Sequence, residues 1–199
     1  MSACDFTGVE CEWGDHGSVT SIKLPGQNIV STLPSEFGQL TELKELDLSG
    51  NFLFGSIPPE VAGLPKLVVF RMSNNQLSGP LPLFTSTSLK ELDLENNLLS
   101  GTISNTLGIG LTSMTNFNLN HNHLSGTLPL SIMEMTSLQY LQLSENGLHG
   151  TLPATLGRLS NLEYLYLNNN NFVGEIPKDL TPSSTKLAEI WLQDNLLSG

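Results

Sequence analysis

Three sets of side chains in this 199-residue chain have types that could do chemistry. Asp47, Arg71 and Asp93 bring two carboxylates and a cation together at intervals of 24 and 22 residues. Paired carboxylates at a suitable separation divide the acid and nucleophile roles in glycoside hydrolysis. His121 and His123, in NHNHL, are a residue type that ligates metals. Tyr140, Tyr164, Tyr166 and Trp191 offer contact surface rather than acid–base chemistry; exposed aromatics of this kind anchor protein and glycan partners. The recurring intervals of 22 to 25 residues imply that a periodic element places all three sets.

That element is a unit of about 24 residues, clearest in Leu43 to Lys66, LKELDLSGNFLFGSIPPEVAGLPK. Each copy opens with L-x-x-L-x-L-x-x-N-x-L, whose first residues are Val19, Leu43, Leu67, Leu89, Met114, Leu138, Leu162 and Leu187. The first seven units run 24, 24, 22, 25, 24, 24 and 25 residues, and the eighth is truncated at Gly199. The L-x-L stretch alternates apolar and polar residues, as a half-buried strand requires. A strand this short is stable only when stacked on its neighbours as a rung of a parallel sheet. The ninth position is Asn51, Asn75, Asn97, Asn122, Asn146, Asn170 and Asn195, with Gln27 as the exception. A side-chain amide both donates and accepts, so stacked Asn residues form a structural ladder for buried backbone groups. A Gly and an Ile-Pro or Leu-Pro pair follow in nearly every unit, the fourth having Ile103-Ser104. Apolar residues then recur every third position, which suits short 3₁₀ turns on the back of each coil.

Residues 1–18 lie outside the repeat and form a cysteine-containing cap, with the repeats over 19–199. Cys4 and Cys11, in CDFTGVEC ahead of Trp13, are placed to close a small loop by a disulfide; two free buried thiols are the alternative. No basic n-region or apolar h-region leads the sequence and it stops inside a repeat, so it reads as a piece of a longer protein.

These residues resemble the plant-type extracellular leucine-rich repeat, LxxLxLxxNxLxGxIPxxLxxLxx, over about residues 4 to 199. CDFTGVEC is similar to that family's N-terminal cap, C-x-W-x-G-V-x-C, with Phe6 in place of Trp. The resemblance implies an α/β fold: a curved right-handed solenoid with a parallel sheet on its concave face and 3₁₀ turns on its convex face. It implies binding rather than catalysis, and secretion or surface display. The module would belong to a receptor-like kinase, a receptor-like protein or a secreted polygalacturonase-inhibiting protein.

An extended concave face is the surface such solenoids use for binding. Eight rungs at about 4.8 Å give a face on the order of 35 Å long. Outward residues fall at positions 2, 3, 5, 7 and 8 of each unit. Its N-terminal half is charged, with Lys23, Asp47, Arg71 and Asp93 at position 5, Glu45 and Glu91 at position 3, and Glu95 at position 7. Arg71 falls between Asp47 and Asp93, either as a surface ion-pair ladder or as an anchor for a basic or dipolar ligand. Its C-terminal half carries Tyr140, Tyr164, Tyr166 and Trp191, with His121, Asn118, Asn120, Gln142 and Asn168 beside them as hydrogen-bonding groups.

No phosphate-binding loop, nucleophile elbow or zinc helix is present in the sequence. His121 and His123 straddle a turn, so neither a metal nor a cofactor is expected. Arg71 between the two aspartates leaves no pocket for a glycosidase pair. The net charge of -11, from 8 basic and 19 acidic residues, disfavours nucleic acid and anionic membrane as partners. No apolar run long enough to insert into a membrane occurs. The expected role is a non-catalytic recognition module at the cell surface, binding a peptide or protein on its concave face, with a glycan as a further ligand class. The alternatives are a secreted inhibitor or wall-associated binder, and a structural or adhesive repeat. Oligomeric state is not legible in the pattern.

Overall fold

The computed structural model describes residues 3–12, 17–180 and 186–198. Trp13 and Gly199, both named above, lie outside the described residues. The L-x-L segments form the rungs of a nine-stranded sheet. Its strands, in spatial order, are Val9–Glu12, Ser18–Lys23, Glu45–Asp47, Val69–Arg71, Glu91–Asp93, Asn116–Asn118, Tyr140–Gln142, Tyr164–Tyr166 and Glu189–Trp191. The eight repeat strands pair in parallel, like position against like position: Asp47 opposite Arg71, Arg71 opposite Asp93, Tyr140 opposite Tyr164, Tyr166 opposite Trp191. The chain is thus an α/β leucine-rich-repeat solenoid with this sheet as its concave face. Val9–Glu12, from the cap, adds antiparallel to Ser18–Lys23 at one edge. A disulfide joins Cys4 to Cys11 and ties that strand to the preceding turn.

The repeated Leu positions point into one continuous core running the length of the array. Leu43, Leu46, Leu48 and Leu53 are buried, as are their counterparts Leu138, Leu141, Leu143 and Leu148. Phe70, Phe117 and Phe172 take Leu or Ile positions and are fully buried. Each such side chain contributes about 1.5–3 kcal/mol on burial, and no coil encloses its own.

The asparagines stitch the coils. Asn122 Nδ2 donates to the carbonyls of Leu119 and Asn120 in its own coil and to Leu94 in the coil before, at 3.2, 3.1 and 3.0 Å. Its Oδ1 accepts the amide of Leu99 at 3.0 Å. Asn75, Asn97, Asn146, Asn170 and Asn195 repeat this pattern. Gln27, in the first coil, bonds Pro25 of its own turn instead, and Asn51 reaches back to both Gln27 N and Ile29 N.

A second sheet of seven parallel strands runs beside the first. It comprises Phe54–Gly55, Gln76–Pro80, Leu98–Thr102, His123–Gly126, Gly147–Thr151, Asn171–Glu175 and Leu196–Ser198. The repeat frame alone does not reveal it. Its signal is the N-x-L-x-G segment, which alternates like a strand but looks like a loop because it contains Gly. Those glycines adopt φ near +82°: at Gly126, a Cβ would lie 2.8 Å from Thr102 Cγ2 of the coil before. On the convex side, Pro34, Pro129 and Pro153 each lead into a 3₁₀ turn and Pro58 into a single α-turn. In the fourth coil, where Ser104 replaces Pro, residues 105–110 form turns only.

Asn122→Ala strips the Leu99 amide of its acceptor and three carbonyls of a donor inside the array. We expect a loss of about 2–4 kcal/mol in urea-induced unfolding. A loss under about 0.5 kcal/mol would mean that water replaces the side chain and that the ladder adds little.

Candidate functional site

The concave face has three zones. In coils 1 to 4 the two cations of position 5, Lys23 and Arg71, are paired with neighbouring carboxylates. Lys23 Nζ meets Glu45 at 2.9 Å. Arg71 makes a two-pronged contact with Glu91, Nε and Nη2 each at 2.7 Å, and Nη1 reaches Glu45 at 3.3 Å. The expected Asp47–Arg71–Asp93 column is therefore not the main bond set. Asp47 lies 3.7 Å from Arg71 and accepts from the Ser49 hydroxyl at 2.7 Å, while Asp93 accepts from the Glu95 amide at 3.2 Å. The long guanidinium reaches diagonally to the longer Glu side chains of the neighbouring column and passes over the short aspartates. Burial raises the Asp93 carboxyl above the ordinary aspartate value, opposed by the Glu95 amide and the Ser73 hydroxyl.

In coils 5 to 7 amides dominate, and they are spent internally. Asn118, Asn120 and Asn168, expected as free hydrogen-bonding groups, are buried. Asn118 Nδ2 donates to Glu95 at 2.9 Å, Asn120 Oδ1 accepts the Ser144 amide at 2.7 Å, and Asn168 Oδ1 accepts the Ser144 hydroxyl. Gln142 is half-buried and donates to Asn116 at 3.2 Å. The reason is geometric: side chains on a concave sheet converge, and short amides one rung apart meet before a partner could reach them.

His121 sits at the rim, at position 8, where every repeat coil adopts a left-handed turn. The other occupants are Gly26, Gly50, Asn74, Asn96, Asn169, Asp194 and, in the next coil, Glu145. Glycine, Asn and Asp tolerate that region and His is also enriched there, as His121 at φ 53° is; Glu145 at φ 55° adopts it at a cost. The two are joined, His121 Nδ1 to Glu145 Oε2 at 2.7 Å. Among the described residues no group of three or more His, Cys, Asp or Glu is placed to hold a metal.

The third zone, in coils 6 to 8, is aromatic and accessible. Tyr140 and Tyr164 stack at 4.6 Å between ring centroids with planes 3° apart. Tyr166 and Trp191 stack at 4.5 Å and 25°, and Tyr164 meets Tyr166 edge-on at 6.3 Å. The tyrosines are half-buried and Trp191 is 46% exposed. Rings that stack on the rung beside them stand upright on the sheet, so they offer edges and polar tips to the cleft rather than open faces. The Tyr166 hydroxyl donates to Glu189 at 2.8 Å. Desolvation, then this bond to a carboxylate, pushes the Tyr166 phenol up to about 12.

Comparison with known proteins bears on this surface. Residues 12–114 match the leucine-rich-repeat profile of leucine-rich repeat and WD repeat-containing protein 1. Residues 113–135 match a leucine-rich repeat, and residues 136–182 a two-copy leucine-rich-repeat profile. No curated protein sequence matches. Among solved structures, the plant peptide hormone receptor RGFR1 in complex with RGF2 is 37% identical over 85% of this chain, with TM-score 0.82. The ectodomain of the Arabidopsis thaliana receptor kinase GASSHO1/SCHENGEN3, in complex with CASPARIAN STRIP INTEGRITY FACTOR 2, is 30% identical over 100% of it, with TM-score 0.90. The Arabidopsis HAESA ectodomain, in complex with an IDA peptide hormone, is 34% identical over 90%, with TM-score 0.85. The chain spans 27%, 27% and 30% of these three chains. No helix among the described residues is long and apolar enough to cross a membrane.

Two titrations test the electrostatics. Because folding raises the Asp93 value, the folded state holds its proton to higher pH and the carboxylate costs stability once it ionises. Asp93→Asn should therefore gain on the parent as pH rises from about 4 to 7, read by urea unfolding at each pH. A constant difference would place the carboxylate in water. In an alkaline absorbance titration one tyrosine should ionise near 12, and Tyr166→Phe should remove that step. Three indistinguishable steps near 10 would show the Tyr166–Glu189 bond to be absent in solution.

Proposed function

The chain belongs to the leucine-rich-repeat family, in the form that plant receptor ectodomains carry, and from that premise we propose that it is a non-catalytic recognition module for a peptide ligand. The observation that supports this reading is the accessible aromatic ladder, Tyr140, Tyr164, Tyr166 and Trp191, on the concave face of coils 6 to 8. It is the part of that face whose side chains are neither neutralised by neighbours nor closed into an amide network. Upright rings with exposed edges, two phenol hydroxyls and an indole N–H suit the backbone carbonyls and side chains of an extended peptide. Stacking within the ladder occupies one face of each ring, which halves the aromatic face on which a sugar ring could stack. Two of the similar structures, the peptide hormone receptor RGFR1 in complex with RGF2 and the HAESA ectodomain in complex with an IDA peptide hormone, agree in kind. On this reading the chain works outside the cell as part of a longer receptor-like protein.

The test is a screen of the disulfide-bonded chain against a displayed peptide library and, in parallel, plant cell-wall oligosaccharides. Peptides should be recovered, and Tyr164→Ala with Trp191→Ala should weaken their binding at least about tenfold while the melting temperature stays put. Binding that survives the double substitution, or a melting point that falls while affinity holds, would make the rings packing. Recovery of oligosaccharides alone would transfer the site to a wall glycan.

A further inference from the structure

Tyr140 and Tyr164 have a geometry that binding does not require. They occupy the same position in adjacent rungs and face each other directly in the parallel register. Their rings lie 4.6 Å apart and within 3° of parallel. Both are half-buried, so their edges are open to the cleft. Neither has the carboxylate bond that holds the Tyr166 hydroxyl on Glu189. The backbone cannot drift apart beneath them: the Tyr140 amide donates to Thr115 O at 3.0 Å and the Tyr164 amide to Gln139 O at 2.9 Å. The Cys4–Cys11 disulfide, an independent feature, suits an oxidising compartment.

We propose that Tyr140 and Tyr164 form an oxidative cross-linking site, coupled to dityrosine by a haem peroxidase with hydrogen peroxide. Each phenol loses the hydrogen atom of its O–H bond, which leaves a phenoxyl radical with spin on the ring carbons ortho to oxygen. One ortho carbon of each ring joins the other in a new C–C bond. The hydrogen on each joined carbon then moves to its oxygen and restores both phenols. The pair is oxidised by two electrons, and the two hydrogen atoms removed reduce one peroxide to two waters as its O–O bond breaks. Stacking supplies what the step needs, because two short-lived radicals are held within reach instead of meeting by diffusion. Partial exposure leaves the rings room to tilt from stacked to edge-joined. The product is a covalent staple between coils 6 and 7 that alters the open part of the concave face, so the site would respond to local peroxide. Tyr166 is not expected to couple with Tyr164, since it shares a strand with it and meets it edge-on.

The test treats the folded chain with peroxidase and hydrogen peroxide, isolates the monomer and digests it with trypsin. Cleavage after Lys90, Arg158 and Lys178 puts Tyr140 on peptide 91–158 and both Tyr164 and Tyr166 on peptide 159–178. The two peptides should be recovered joined, lighter by two hydrogen atoms than their sum and with dityrosine fluorescence. The link should vanish in Tyr140→Phe and in Tyr164→Phe and persist in Tyr166→Phe. Its yield should fall at least about tenfold when the chain is unfolded in urea. A link that survives Tyr164→Phe, cross-links found only between chains, or equal yield in folded and unfolded protein would each overturn the proposal. Because the readout is a bond and not a ligand, the result stands apart from whether the face binds a peptide.

Discussion

One asparagine amide in each coil after the first sets the geometry on which the rest of the molecule depends. Its carbonyl oxygen accepts a backbone amide of the preceding coil, and its nitrogen bridges carbonyls of both coils, as Asn122 does with Leu99, Leu94, Leu119 and Asn120. These groups lie where no solvent can serve them, and a buried backbone group without a partner costs about 1–3 kcal/mol. The requirement acts at every junction between coils, so neighbours cannot slip by a residue without leaving several such groups unpaired. That fixes like positions opposite one another, and everything on the concave face follows from it.

The consequence is that side chains interact in columns one rung apart, and their length decides the outcome. Short amides in the middle of the face close into a network and bury themselves, as Asn118, Asn120 and Asn168 do. Long charged chains reach across columns, so Arg71 pairs with Glu91 and Glu45 more closely than with the aspartates in its own column. Flat aromatic rings stack, because a rung spacing of about 4.8 Å is close to ring-stacking distance. Three chemical classes on one scaffold thus end as a neutralised zone, an enclosed zone and an accessible zone. The accessible one supports the proposed contact surface, and its most regular pair supports the proposed cross-link.

At the rim the same repetition exposes an exception. The left-handed turn at position 8 suits Gly, Asn and Asp, and most coils use them. His121 and Glu145 depart from that set in adjacent coils and are bonded to each other. Neither identity is demanded by the coil, so these two residues, like the tyrosines, are variation laid on a fixed frame.

The sequence by itself determined the frame. The spacing of Leu, Asn, Gly and Pro specified the coil, its parallel rungs, the direction of each position and the column that each tyrosine occupies. It could do so because a repeat with a buried amide admits one register, and register converts sequence spacing directly into neighbours in space. The second sheet was missed because Gly at φ near +82° hides an extended segment inside what looks like a loop. Tertiary structure alone decided which outward groups remain free. Asn118 and Tyr140 both point outward by position, yet one is enclosed and the other accessible. That difference depends on side-chain length, on the partners one rung away and on the convergence of a concave surface, none of which is written at the position itself.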